Sequence, residues 1–367
     1  MLPILRFGRP PQGHEHSGEA RCAGRNRSIS SVGPLRKPAL PTCILAVACF
    51  LGATGLLAVP RAAAAQPRAI VQLIGDLNTA SGVVYNARSV EGLPLDALKV
   101  IQAPRPGRYL GVFDSVGPGN SFVTRLAVSD HLAYWHAGPI LSLHGSMPTI
   151  TYVDGGYLVA FELAAPNGDS QIELEHFAGL RQLMAARPDR EIALPRILSR
   201  YNEGTPTIES VELHGRLASS RIAIGFHYNV GHGVDRNGIG LLVNFAVWTE
   251  RPNVELDAAI EHTGVHGSIG DRDAVKIDGV PLELVGGQQD KHDWSSWGLY
   301  AYDLSTSVAV PVPVTTPRGS GLSIGVIRCT IVRDAHGTRI LVMSAFVYQE
   351  GSPPGTPGEL VWWRGLR

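Results

Sequence analysis

Runs of apolar residues that end on a polar residue recur along the chain. They are "RYLGVFDSV" (108–116), "GYLVAFEL" (156–163), "RIAIGFHYN" (221–229), "LELVGGQQD" (282–290) and "RILVMSAFVYQEG" (339–351). The first three share a Phe followed by a polar residue, at Asp114, Glu162 and His227. Because each run has the length of a strand and is apolar at successive positions, it predicts a strand that is buried on both faces.

Two further elements recur in phase with these runs. The segments "SMPTI" (146–150), "GTPTI" (204–208) and "GDRDAV" (270–275) each precede a run, with a turn signal between them. Another apolar segment follows each run, as in "FVTRLAVSDHLAYW" (122–135) and "GIGLLVNFAVW" (238–248). Each unit therefore predicts strand, turn, strand, loop and strand, with room for a fourth strand. The exception is a predicted short helix near residues 174–186.

Five such units fill residues 66–367. A single sheet cannot cover both of its own faces, but five sheets stacked radially each pack against two neighbours. The sequence therefore predicts an all-β protein with one domain, a five-bladed β-propeller spanning residues 66–367. A two-sheet β-sandwich is the alternative, and it would require cleaner alternation than "YLVAF" shows.

Residues 1–65 have a different pattern. The segment "CILAVACFLGATGLLAV" (43–59) follows Arg36 and Lys37 and precedes the small residues Ala63 and Ala65. This order predicts a secretory signal peptide that is cut near Gln66, and hence a secreted or periplasmic protein that is not held in a membrane after cleavage. A membrane anchor is the alternative, although the run is short for one. Residues 1–35 are a long polar prelude, which we interpret as a gene start assigned too early.

Composition narrows the classes of partner. The 367 residues carry no formal net charge, so no basic excess predicts a nucleic-acid partner. Cys329 is the one cysteine that follows residue 65, which leaves no second cysteine there for an intramolecular disulfide, and we expect it to be a buried thiol. We expect a monomer.

The chain lacks the G-x-S-x-G, phosphate-loop, H-E-x-x-H and paired C-x-x-C motifs, so carboxylates are the main candidates for chemistry. The polar residues that close the aligned strands are Asp114, Glu162, His227 and Gln288. Ends of propeller strands converge on a central channel, which predicts that these side chains share one pocket. The alternative is that the acids cap loops or pair with arginines.

Asp271 and Asp273 depart from the "PTI" consensus of the first strand and, being two residues apart, are predicted to share one face. Paired carboxyl groups are what glycoside hydrolysis requires, since one donates a proton while the other attacks the sugar or activates water. His227 is predicted to form a wall of the pocket, to bind an axial ion or to be structural. Trp294, like Trp297, Trp362 and Trp363, is predicted either to stack on a sugar or to pack between blades. No cofactor or metal is predicted to be required.

These segments resemble the five-bladed β-propeller glycoside hydrolases, the superfamily of arabinanases, β-xylosidases, invertases and levansucrases. The resemblance lies in "PTI" followed by "DGGYLVAFE", in "TRLAVSDHLAYW", which is similar to an S-x-D-L-x-x-W strand and turn, and in "GDRDAV", which is similar to an Arg-Asp-Pro motif. It implies hydrolysis of a furanosyl or pyranosyl bond in a poly- or oligosaccharide.

The resemblance also implies residue roles. Asp114 or Asp96 would be the base or nucleophile, Asp273 would orient the substrate and tune acidity, and Glu162 would be the general acid. Asp271, His227, Gln288 and Trp294 would bind substrate. In that family the acid usually follows the Arg-Asp motif, whereas Glu162 precedes it. The alternative function is therefore a secreted propeller that binds carbohydrate or a cell-envelope partner without catalysis.

Overall fold

The computed structural model describes residues 65–231 and 233–366, with side chains described from residue 69 onwards. The predicted signal segment lies outside these residues. Five four-stranded antiparallel sheets form a five-bladed propeller, which confirms the predicted fold and excludes the β-sandwich. No helix within the described ranges is long and apolar enough to cross a bilayer.

Blades 1 to 4 each consist of four strands that are consecutive in the chain. Blade 1 contains β2 (Asp96–Gln102), β3 (Tyr109–Val116), β4 (Phe122–His131) and β5 (Tyr134–Ser142). Blade 2 contains β6 (Gly145–Val153), β7 (Gly156–Ala164), β8 (Ser170–Phe177) and β9 (Arg190–Ala193). Blade 3 contains β10 (Glu203–Glu212), β11 (Arg221–Val230), β12 (Val234–Val243) and β13 (Val247–Pro252). Blade 4 contains β14 (Ile269–Ile277), β15 (Val280–Gln288), β16 (Trp297–Asp303) and β17 (Val308–Pro311).

Blade 5 is built from both ends of the described chain. Its strands are β20 (Ile324–Arg333), β21 (Arg339–Val347), β22 (Gly358–Gly365) and the early strand β1 (Gly82–Val84). β1 pairs with β22 in an antiparallel ladder that sets Gly82 opposite Trp363. The predicted fourth strand of the last blade therefore comes from the opposite end of the chain, which fastens the ring.

The remaining elements are short. They are α1 (Ala65–Gly75), α2 (Leu180–Met184), α3 (Val254–Glu261), four single-turn 3₁₀ segments and the two-residue strands β18 (Thr315–Thr316) and β19 (Gly319–Ser320). The helix predicted near residues 174–186 is limited to α2, because the residues before it form β8 and pair with β7. That part of the sequence prediction was too long at its N-terminal end.

The second strand of blade 2 shows why such strands are apolar on both faces. Val159 and Phe161 of β7 pack in a core cluster with side chains of blade 1. Leu158 and Ala160, which alternate with them, pack in a cluster with side chains of blade 3. The neighbouring blades thus cover both faces of the sheet, as the sequence predicted.

Each first strand carries an irregularity in its register near its start. In four blades a residue at this bulge has a positive φ, namely Ala97 (56°), Met147 (50°), Thr205 (48°) and Val326 (53°). For the β-branched Thr205 and Val326 this conformation is strained, so the surrounding contacts must hold it in place. These bulges position the candidate site.

Candidate functional site

A carboxylate of the preceding blade accepts a hydrogen bond from the bulge of the next blade at four of the five joints. The contacts are Ala97 N to Glu359 Oε2 (3.2 Å), Met147 N to Asp114 Oδ2 (3.1 Å), Thr205 N to Glu162 Oε2 (3.2 Å) and Val326 N to Asp271 Oδ2 (2.8 Å). The amide that the bulge removes from the strand ladder therefore gains a partner. Asp114 and Glu162, which close their second strands, therefore each contact the start of the next blade's first strand.

The joint between blades 3 and 4 is different. His227 occupies the position on β11 that Asp114 and Glu162 occupy on their strands, since each lies opposite the residue before the bulge. His227 Nδ1 lies 3.7 Å from Asp271 Oδ1, a distance for an ion pair but not for a hydrogen bond. The two side chains are 17% and 10% exposed, so the pair is reached by little solvent.

The two carboxyls at this joint, Glu162 and Asp271, differ in the direction of their pKa shifts. Burial raises the pKa of Glu162, and the Asp271 charge raises it further, although His227 acts in the opposite direction. Burial alone would raise the pKa of Asp271, but His227, Arg328 and the Thr205 hydroxyl together hold it below its usual value. The pKa of one carboxyl is therefore raised while the pKa of its neighbour is lowered.

The imidazole between these acids is cationic at neutral pH. Burial alone would lower the pKa of His227, but the interaction with Asp271 and the charges of Asp235 and Glu162 raise it to about 9. Thr205 links the two carboxyls, because its amide donates to Glu162 and its hydroxyl stabilises the charge on Asp271. Glu162, His227 and Asp271 thus form one electrostatic unit, which we call the axial triad.

A second pair of acids lies at blade 1. Asp96 and Asp114 are opposite one another in the β2–β3 ladder. Burial raises the pKa of Asp114 to about 8, with a further contribution from the Asp96 charge, and burial raises the pKa of Asp96 to about 6. Asp114 Oδ1 is buried without a hydrogen-bond partner in the described structure. Asp114 therefore stays largely protonated at neutral pH, whereas Asp96 is mostly ionised.

Asp273 has a different environment, although it lies two residues from Asp271. It forms a buried ion pair with Lys99 and accepts hydrogen bonds from Thr207 Oγ1 (2.9 Å) and Cys329 N (2.8 Å). Both aspartates contact blades 3 and 5, as expected for side chains on one face of β14. The structure nevertheless brings Asp271, and not Asp273, next to Glu162.

Arg328 connects three blades near the propeller axis. From blade 5 its guanidinium donates to Met147 O on blade 2 (3.0 Å) and to Arg272 O on blade 4 (3.4 Å), and the residue is 1% exposed. A cavity of about 370 Å³ is lined by residues of all five first strands, with Lys99 and Asp273 among them. Asp273 thus borders a chamber whose lining does not include the axial triad.

No protein-family model and no curated protein matches the sequence. Among solved structures, a protein titled "Glycoside hydrolase" matches with a TM-score of 0.51 and 10% identity, covering 82% of this chain and 96% of that chain. The endo-arabinase from Bacteroides thetaiotaomicron VPI-5482 matches with a TM-score of 0.50 and 9% identity, covering 77% and 98%. The chain has the five-bladed propeller fold of glycoside hydrolases. At these identities the likeness concerns the fold.

Within this propeller, Gln288 is placed differently from the strand-closing residues with which it was aligned. The register partner of the first-strand residue before the bulge is Gly287, so Gln288 lies one position further and faces the other side of the sheet. It is 4% exposed, and its Nε2 donates to Asp293 O at 3.2 Å. The alignment of Gln288 with Asp114 and Glu162 was therefore wrong by one residue.

The candidate tryptophans differ in exposure. Trp294 is 48% exposed and forms an aromatic cluster with Trp297 and Tyr348, with ring centroids 6.3 and 5.2 Å from its own. Burial and the charges of Asp271 and Asp235 raise the pKa of Tyr348, which places this cluster beside the axial triad. Trp362 is 2% exposed in the core, so the packing alternative holds for it.

Sequence reasoning missed Lys99, Arg328 and Glu359, which hold the ends of the first strands together. Their signal was present, because each is a charge flanked by apolar residues of a strand, as in "ALKVI", "GVIRCTIV" and "GELVWW". Cys329, predicted to be a buried thiol, is free and buried.

Within the described ranges the axial acids do not gather three ligand atoms for one metal ion; the group that does lies on blade 2.

Proposed function

We propose that the protein is an exported glycoside hydrolase that cleaves a furanosyl or pyranosyl bond of a poly- or oligosaccharide at the axial triad. One observation carries this proposal. Glu162 and Asp271 contact the same residue, Thr205, and lie beside the same imidazole, yet their pKa values are shifted in opposite directions. Two neighbouring carboxyls whose pKa values are shifted apart are what general acid catalysis by one and charge stabilisation by the other require.

Glu162 is the proton donor in this proposal. Burial raises its pKa, the direction that a general acid requires, and the neighbouring Asp271 charge contributes to that shift. Asp271 therefore takes the role of tuning acidity that the family resemblance assigned to Asp273, whose carboxylate is occupied by Lys99. His227 keeps Asp271 ionised.

Asp96 is the better candidate of the two blade 1 acids for base or nucleophile. A carboxyl with a pKa of about 8, as for Asp114, is largely protonated at pH 7 and cannot accept a proton or attack a sugar. Asp96, with a pKa of about 6, is mostly ionised at that pH. The exposed ring of Trp294 offers a face on which a sugar can stack beside the triad.

A second candidate function is carbohydrate binding without cleavage. It is favoured by the repeated contact in which Asp114, Glu162, Asp271 and Glu359 each accept a backbone N–H at a bulge. That contact stabilises strained backbone and requires no chemistry from the acid. A propeller of this kind would hold a glycan or a cell-envelope partner at the same surface.

Reducing-sugar release from arabinan, arabinogalactan, xylan and fructan separates the two functions. The wild type should release sugar from at least one polymer, and Glu162→Gln and Asp96→Asn should each lower the rate by about 10²- to 10⁴-fold while circular dichroism stays unchanged. Glu212→Gln is the matched control, since Glu212 is exposed and far along β10 from the bulge, and it should keep full activity.

Equal release by the wild type and the Glu162→Gln variant would contradict the assignment of the acid. Binding of a glycan array without any product, even after long incubation, would favour the second function instead.

A further inference from the structure

Three carboxylates outside the axis converge on blade 2. Glu173 and Glu175 are two residues apart on β8 and so project from one face of the sheet, and Glu191 on β9 lies directly opposite Glu175. Carboxylate oxygens of the three residues all lie within 4.8 Å of one another. We call this group the blade 2 acid cluster.

Nothing in the described structure compensates these charges. No lysine, arginine or histidine side chain of the described ranges forms an ion pair with any of the three acids. Like charges directly opposite one another in a ladder are destabilising. Burial raises the pKa of Glu175 to about 8, and the Glu173 and Glu191 charges raise it further. Without a bound cation, the cluster therefore destabilises the folded protein.

Glu175 supplies an observation independent of the clustering. The residue is 6% exposed, and its Oε2 atom is buried without a hydrogen-bond partner in the described part of the chain. A buried carboxylate oxygen that no protein donor satisfies costs free energy unless another species binds it. The unpartnered oxygen belongs to the central member of the group, between Glu173 along the strand and Glu191 across the ladder.

The blade 2 acid cluster has apolar residues on its inner side and is exposed to solvent at the outer edge of the blade. Glu175 lies opposite Val159 in the ladder and Glu173 lies opposite Phe161, and both apolar residues belong to the core between blades 1 and 2. Glu191, on the outer strand β9, is exposed. An ion can thus approach from the outer edge of the blade and keep water on that side.

We propose that Glu173, Glu175 and Glu191 form a binding site for a hard divalent cation, with Ca²⁺ as the best fit. Ca²⁺ takes six to eight oxygen ligands at about 2.3 to 2.6 Å, so oxygens on opposite sides of the ion lie about 4.6 to 5.2 Å apart, and ligand atoms within 4.8 Å of one another fit around one ion. Three carboxylates supply three to six of these oxygens and water supplies the rest. An all-oxygen set does not suit Zn²⁺, and Mg²⁺ requires shorter and more regular coordination.

Binding to the full chain is measured by isothermal titration of chelator-treated protein with CaCl₂, and by thermal unfolding in CaCl₂ against KCl of equal ionic strength. The wild type should bind one Ca²⁺ at the cluster and unfold at a higher temperature in CaCl₂ than in KCl. Glu191→Gln should weaken binding by about tenfold or more, because a site with fewer charged ligands binds Ca²⁺ less tightly. Glu212→Gln is the control and should bind as the wild type does.

Glu175→Gln keeps the proposal testable if loss of binding is suspected to reflect unfolding. Glutamine resembles the protonated carboxyl that a pKa of about 8 favours for Glu175, so this variant should be about as stable as the wild type without Ca²⁺ and should lose the Ca²⁺-dependent rise in melting temperature. No heat and no shift in melting temperature for the wild type at millimolar CaCl₂ would overturn the proposal. An undiminished shift in a Glu173→Gln/Glu191→Gln double variant would also overturn it. Neither readout depends on hydrolase activity.

Discussion

Asp271 and Asp273 are two residues apart on β14 and contact the same two neighbouring blades, but they have opposite surroundings. The Asp273 carboxylate is 3% exposed and is matched by the Lys99 ammonium, a threonine hydroxyl and a backbone amide. The Asp271 carboxylate is 10% exposed, accepts one backbone amide and faces the imidazole of His227. The first is saturated with fixed donors, whereas the second has a partner that can change its charge.

This difference separates a structural acid from a chemically adjustable one. The Lys99 and Asp273 pair is buried, with side chains 11% and 3% exposed, and is held by fixed contacts. The charge of His227, whose pKa is about 9, lowers the pKa values of both Asp271 and Glu162, so loss of that charge at higher pH changes both acids. The position of an acid within the propeller axis therefore predicts its role better than its motif does.

The largest expected effect is on the free energy of unfolding, at the buried pair of Lys99 and Asp273. Lys99→Met leaves the Asp273 charge buried without its cation, and breaking one partner of a buried pair typically costs about 3–5 kcal/mol. Urea denaturation should show that loss in the free energy of unfolding. A double variant, Lys99→Met with Asp273→Leu, should recover a substantial part of the loss, since no uncompensated charge remains.

A loss below about 1 kcal/mol for Lys99→Met would remove the contrast between the two aspartates, because exposed pairs contribute no more than that.

A smaller and more specific effect is expected at the axial triad. Asp271→Asn removes the carboxylate that raises the pKa of His227, and burial then favours the neutral imidazole. NMR titration of the His227 Cε1–H signal should give a pKa of about 9 in the wild type and a clearly lower value in the variant. Asp273→Asn should leave the pKa of His227 nearly unchanged. Equal shifts in both variants would contradict the contrast between the two aspartates.

The same shift determines how stability depends on pH. Because the pKa of His227 is about 9 in the folded protein, above the value of 6.5 for an unperturbed histidine, its contribution is fully present below about pH 6.5 and is lost as pH rises through 9. Asp114, with its pKa raised to about 8, also makes the folded state less stable as pH rises from about 4 through 8. The free energy of unfolding should therefore fall between pH 6 and 9.5, less steeply in Asp271→Asn.

The smallest expected effect on stability is at the rim of the triad. Trp294→Ala removes a half-exposed ring, so the free energy of unfolding should change by about 0.5 kcal/mol or less. Affinity for an oligosaccharide should fall about two- to tenfold, the range for one aromatic stacking contact. Titration calorimetry with the oligosaccharide released most readily in the polymer assay measures this. Unchanged affinity would show that the sugar does not reach this ring.

The blade architecture could be predicted from the sequence because it depends on local pattern. Five apolar runs with flanking turn signals were sufficient to identify five sheets, whereas the contacts of Asp114 and Glu162 with the next blade are seen only in the assembled structure. The alignment failed by one residue at Gln288, because the run that contains it has two glycines in place of the Phe that marked the register elsewhere. Pattern alone does not define register where side chains are absent.

Pairing across the axis was less predictable. The contact of Lys99 with Asp273 joins blades 1 and 4, and nothing in either strand specifies its partner. The positive φ values of Thr205 and Val326 contradict the local preference of β-branched residues, so only the assembled ring accounts for them. The acid cluster on blade 2 was missed for a similar reason, since it requires the ladder between β8 and β9.

The pairing of β1 with β22 also determines the order in which the molecule can be completed. Blades 1 to 4 use consecutive strands and need only local closure, but the last sheet needs Gly82 beside Trp363. During synthesis the N-terminal strand must therefore remain unpaired until β22 has left the ribosome. A nascent chain of this protein therefore stays an open array of blades and closes into a ring only once the final strand is available.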